Sequence, residues 1–169
     1  MRPIGFRPSG GISMAATEAF AKTLGYVYVS PVGGSAGMRD GLAVIPSEMA
    51  NTDLTYYDPT FAQFRHAGVQ TADDAAAFVE GFLLTLDDIA DSGNCRSPVC
   101  HVTTPLDTPQ RKDSFRRIVE LTIADDRLWK PTLGEAADWM LARPEGLPTE
   151  RLRSFEPDWD PRAFVANDG

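Results

Sequence analysis

Arg7 sits in Gly5-Phe6-Arg7-Pro8-Ser9-Gly10-Gly11, seven residues whose types describe a strand end turning sharply into a helix. Proline disfavours helix in the residue before it, so Arg7 is expected to be extended. Glycine admits φ values closed to other residues, so Gly10 and Gly11 permit a tight turn in which backbone approaches a ligand. Pro8 and Gly10 are therefore candidate ligand contacts. Arg7 itself offers a planar guanidinium suited to holding a carboxylate by two bonds. It would stand at the carboxyl end of a strand, where α/β folds place their chemistry. The plainer alternative is a loop arginine paired with a surface carboxylate.

Two further stretches carry candidate chemistry. In Asn51-Thr52-Asp53-Leu54-Thr55-Tyr56-Tyr57-Asp58-Pro59, Tyr56 and Tyr57 could stack on a sugar or heterocycle, with Asp53 as hydrogen-bond acceptor. The same residues also read as a turn whose aromatics cover the edge of a core. His101 lies in Pro98–Val102, read as a short buried strand, and an imidazole there could move a proton; the alternative is a sheet histidine with a backbone partner. His66, after Phe64-Arg65, reads as structural. Cys95 and Cys100 are spaced Cys-x4-Cys with no second cysteine pair, so free thiols are expected rather than a disulfide or half of a zinc site. Asp87 and Asp88 are not a catalytic pair, since adjacent helical positions point about 100° apart.

The elements that must position these residues follow from periodicity and capping. Ser13 is a candidate N-cap for a helix over about 14–24, with Ala16, Phe20 and Leu24 on one face and Gly25 as its stop. A strand over Tyr26–Val29 follows, then a glycine-rich loop, Pro31 to Gly37, then a strand over Leu42–Ile45. The loop lacks a following Lys-Ser/Thr, which argues against a phosphate-binding loop. Thr71-Ala72-Asp73-Asp74 opens a long helix with Phe78, Phe82, Leu86 and Ile89 on its core face, ended by Gly93. Thr108 and Pro109 start a helix whose inner face is Phe115, Ile118, Val119 and Thr122. Leu128-Trp129 suggests a brief strand, and Thr132-x-x-Glu135 caps a last helix ending near Arg143-Pro144.

The order of these motifs resembles the polysaccharide deacetylase (NodB homology) superfamily. Phe-Arg-Pro-x-Gly-Gly is followed by a helix and Leu24-Gly25-Tyr26-Val27-Tyr28, then by Gly41-Leu42-Ala43-Val44-Ile45-Pro46. The segment Pro98 to Pro105 is similar to the strand carrying that family's late histidine. Leu128-Trp129-Lys130-Pro131-Thr132-Leu133-Gly134-Glu135-Ala136-Ala137 is similar to its closing motif. The Thr-Phe-Asp-Asp strand and His-x-x-x-His segment that supply the family's base and metal ligands have no counterpart in the chain. It therefore reads as the C-terminal half of such a domain.

The resemblance implies an α/β fold, a partial (β/α) barrel with four or five short, mainly parallel strands. Residues 1–144 would form it, and 145–169 would be a polar tail. It implies a hydrolase acting on an amide or acetamide C–N bond in a carbohydrate or related small amide, inactive alone. Arg7 would orient a base and His101 would protonate the leaving nitrogen. The family writes His-Pro there, whereas Thr104 precedes Pro105, so Thr104 competes for that position. No cofactor is expected in the chain alone; zinc or another divalent metal would come only with the missing half. A non-catalytic domain that binds a ligand or a protein is the alternative function. The Pro3–Phe6 strand would then be an open edge for a second copy or a complementing chain.

Composition sets outer bounds. At 169 residues and 43% hydrophobic, the chain suffices for one packed domain. A formal charge of -8 argues against nucleic acid or an anionic membrane surface as partner. No apolar run approaches the roughly 20 residues of a membrane helix, and Met1 to Phe6 is no signal peptide. A cytoplasmic location is expected.

Overall fold

Four short strands form one sheet: β1 (Gly5–Phe6), β2 (Tyr28–Val29), β3 (Gly37–Arg39) and β4 (Leu42–Val44). Their order is β1-β2-β4-β3; β1, β2 and β4 are mutually parallel and β3 runs antiparallel to β4. The structure is a computed structural model and describes residues 2–104 and 106–149. The α/β class and the mainly parallel pairing are those expected. Strand β3 is new: the end of the glycine-rich loop belongs to a hairpin. Its turn is Asp40-Gly41, with φ of 48° and 80°, the two positive values that a two-residue turn between twisted strands requires.

Two expected strands are absent. The segment 98–102 is reduced to a single parallel bridge between Thr52 and Val99, because the His101 amide is taken by a side chain instead of a neighbouring strand. Leu128-Trp129 has no ladder at all. The outer edge of β3 is already occupied, since the Met38 amide donates to the Pro148 carbonyl (2.8 Å) and Met38 pairs with Thr149. Residues 148 and 149 thus lie along the outer edge of β3. Trp159 and Phe164 lie outside the described residues. The outer edge of β1 has no strand partner among the described residues.

The described residues form five α-helices: α1 (Ala15–Thr23), α2 (Leu54–Tyr57), α3 (Asp74–Ser92), α4 (Pro109–Ala124) and α5 (Leu133–Leu141). Thr108 and Pro109 start α4, Thr132 and Glu135 form the capping box of α5, and Gly93 ends α3 in the left-handed region, all as the sequence indicates. Two caps differ. Asp73, not Thr71, accepts from the Ala76 amide to start α3. Ser13 donates to Glu18 instead of capping α1, which has no side-chain cap.

Helix α1 is also turned relative to its apolar stripe. Ala16, Phe20 and Leu24 face outward, Phe20 being 64% exposed, while Glu18 and Ala21 are buried. The cause is an ion pair. Arg39 of β3 donates to Glu18 through Nε (2.9 Å) and Nη2 (2.5 Å), and both residues are buried, at 7% and 4% exposure. A charge taken from water must meet its partner, and that requirement outranks the stripe. On the opposite face of the sheet, α5 sets Ala136, Ala137 and Met140 against Ala43 and Ile45. A second core joins α2, α3 and α4 through Tyr56, Tyr57, Phe78, Phe82, Leu86 and Ile118. No described helix is long and apolar enough to cross a membrane.

Glu18→Ala should lower stability by about 3–5 kcal/mol, because it leaves the Arg39 guanidinium buried without its partner. The double variant Glu18→Leu with Arg39→Met should recover most of that loss. Urea unfolding midpoints at constant slope check both, and a fully stable single variant would refute the pair's role.

Candidate functional site

Asp53 has no solvent exposure, and a carboxylate so placed needs donors from every side. It finds three. Oδ1 accepts from the Leu54 amide at 2.9 Å, at the start of α2, and Oδ2 accepts from the His101 amide at 2.8 Å. The third is the His101 ring, whose Nδ1 lies 2.7 Å from Oδ1. A carboxylate only accepts, so Nδ1 carries the hydrogen and the lone pair belongs to Nε2. The imidazole side chain remains 44% exposed. A buried acid thus fixes the tautomer of a half-exposed base, an arrangement suited to proton transfer at Nε2.

The backbone around the pair is equally fixed. The Asp53 amide donates to the Val99 carbonyl (3.2 Å), and the Val99 amide to that of Asn51 (3.4 Å). Glu48 and Asn51 close a reciprocal capping box over the short turn before Asp53. Thr104, the competing candidate, makes only a turn, its amide donating to the His101 carbonyl (3.1 Å).

Arg7 meets the other end of the same segment. Its Nη2 donates to Ser97 Oγ at 2.6 Å, and the Ser97 amide donates to the Pro46 carbonyl just beyond β4 (2.8 Å). Nη1 is buried with no partner among the described residues, and so is the Ser30 hydroxyl at the end of β2. Arg39, Arg65 and Arg96 each pair with a carboxylate; Arg7 has none among the described residues. Desolvation lowers the Arg7 pKa from its ordinary value, against a smaller opposing effect of Tyr28. From Ser97 to His101 is four residues, a reach of no more than about 14 Å. Arg7 and His101 therefore bracket one segment without touching.

The turn before α1 is as the glycines require. Gly10 and Gly11 have φ of 60° and 74°, and a Cβ on Gly11 would fall 2.1 Å from Val32 Cγ2. Pro8 is buried and Gly10 exposed, so only the glycine offers accessible backbone.

Three expected ligand contacts are corrected. Asp53 is wholly occupied by Leu54 and His101. Tyr56 is fully buried and its hydroxyl donates to the Ala50 carbonyl (2.8 Å). Tyr57 is 9% exposed. Both rings pack on Phe78, with centroids 5.4 Å away, and Arg111 lies 4.3 Å from the centre of Tyr57. Their faces are filled, so they serve the core. His66 accepts at Nδ1 from the Gly68 amide (3.2 Å), a local turn contact. Ser97 had no signal in the sequence as the partner of Arg7. The Asp53–His101 link spans 48 residues and was equally hidden.

Cys95 and Cys100 are free thiols. Although Cys100 is exposed as a residue, burial of its sulfur first and the Asp53 carboxylate second push the thiol up to about 12. No family model matches the chain, and neither does any curated protein or solved structure.

At pH 8 a thiol titrating near 12 is almost wholly protonated, whereas an ordinary one at about 8.5 is roughly one-quarter thiolate. Iodoacetamide should therefore label Cys100 at least a hundredfold more slowly than free cysteine, and Asp53→Asn should speed it. Peptide mass spectrometry reads the rate, and labelling as fast as free cysteine would contradict the geometry.

Proposed function

We propose that the chain is the incomplete, late portion of an amide hydrolase of the polysaccharide deacetylase kind, acting on an acetamido group of a carbohydrate or related small amide. The observation that carries the reading is the Asp53–His101 pair. Asp53 holds the ring through Nδ1 and through the His101 amide, so Nε2 can take up a proton on its lone pair and then deliver it to a leaving nitrogen. Thr104 has no such support, and a hydroxyl is a poor proton donor to an amine.

Arg7 fits the companion role. Its Nη1, at the end of β1, is buried with no partner among the described residues, and no carboxylate there meets Arg7 as Glu18 meets Arg39 and Glu48 meets Arg96. In this reading the carboxylate is the base on a complementing segment, which a guanidinium fork orients better than an ammonium. The outer edge of β1, unpaired among the described residues, is where that segment, or a second copy, joins the sheet, which would then be one arc of a (β/α) barrel.

The family's divalent metal is a separate matter. Among the described residues no three His, Cys, Asp or Glu side chains gather to hold an ion, and Asp53 and His101 are bonded to each other. These residues do not fit a metal site. Any metal in this scheme comes with the complementing segment.

The test is acetate release from an N-acetylated chitooligosaccharide. The chain is mixed with a polypeptide carrying the Thr-Phe-Asp-Asp and His-x-x-x-His segments and a divalent metal. Turnover should appear in the mixture and fall about a hundredfold or more in His101→Asn, whose amide nitrogen can still donate to Asp53, and in Arg7→Lys, with melting temperatures little changed. Full activity in both variants would reject the assigned roles. Oligosaccharide binding without turnover in any mixture would favour a non-catalytic binding domain.

A further inference from the structure

Between the sheet with α5 and the core of α2, α3 and α4 lies a groove of about 890 Å³, inside the roughly 300–1,000 Å³ range of small-molecule sites. It is lined by neither Arg7 nor His101, so it is independent of the function proposed above. Phe82 and Leu86 of α3 face Leu133 and Met140 of α5 across it. Trp129 and Trp139 also line it, 61% and 42% exposed, with ring centroids 6.1 Å apart. Indoles this exposed offer rings to stack on.

Its charge is unlike that of the rest of the chain. The protein has 24 Asp and Glu against 16 Lys and Arg, yet no carboxylate is among the described residues lining the groove, whereas Arg96, Arg127 and Lys130 are. Each cation is held in place by bonds to the protein. Arg96 bonds Glu48 and the Cys95 carbonyl, and Arg127 bonds Asp125 and Asp87 through Nε and Nη2. Lys130 donates only to the carbonyls of Ile123 (3.2 Å) and Asp125 (2.6 Å). That leaves Arg127 Nη1 and one N–H of Lys130 without a bond among the described residues, on either side of Trp129 in sequence.

We propose that this groove binds an amphipathic aromatic anion, with its ring against Trp129 and Trp139 and its carboxylate at Lys130 and Arg127 Nη1. The apolar floor takes the ring's inner edge, and pre-held cations supply the charge-assisted bonds.

The probe is 2-naphthoate, titrated into the full chain by calorimetry and by tryptophan fluorescence, with 2-naphthylmethanol as the neutral counterpart. The acid should bind saturably at one site per chain and at least tenfold more tightly than the alcohol. Lys130→Glu should weaken it at least tenfold, and so should Trp129→Ala, both at unchanged circular dichroism. Both positions are exposed, so neither variant is expected to unfold. Absent binding, equal binding of acid and alcohol, or indifference to both variants would overturn the proposal. So would binding that appears only after residues 150–169 are removed. In that case the groove belongs to the chain's own acidic, aromatic stretch Phe155-Glu156-Pro157-Asp158-Trp159-Asp160.

Discussion

The carboxylate of Asp53 is the constraint on which the site depends. A fully buried charge is unfavourable unless donors surround it, and here the donors come from two stretches of chain 48 residues apart. Satisfying Asp53 therefore draws residues 97–101 against the turn before α2. Once held there, that segment reaches Arg7 through Ser97 and the end of β4 through Pro46. Three residues beyond Asp53, Tyr56 is locked into the helical core by its ring and its hydroxyl. One carboxylate thus ties the carboxyl ends of the strands to the core of α3.

The two cores share the remaining work unequally. A sheet this short buries little area by itself, and α5 covers one face with small residues that allow close approach to Ala43 and Ile45. The other face buries Leu42 and Val44 and adds the Glu18–Arg39 ion pair, while Phe20 stays in solvent. The larger aromatic payload lies with α2, α3 and α4. Because the cores meet along a groove rather than a packed seam, concave apolar surface and exposed tryptophans persist between them.

What could be read from sequence here is what is decided locally. Thr108-Pro109, Thr132 with Glu135, Gly93 and the Phe78–Phe82–Leu86 stripe each act within a turn or two of helix, and each is found in place. The Gly10-Gly11 turn is of the same kind, since positive φ is a property of the residue itself. Asp40-Gly41 carried an equally local hairpin signal, and β3 could have been found from it.

Tertiary structure alone decided the rest. Whether Tyr56 and Tyr57 faced a ligand or a core turned on where α3 and Arg111 came to lie. Which side of α1 turned inward turned on Arg39, and the partner of Arg7 proved to be a serine 90 residues away. Pairings over such separations are selected by burial, because a charge or amide leaving water takes whichever partner the packed chain presents. Spacing along the chain holds no record of that choice.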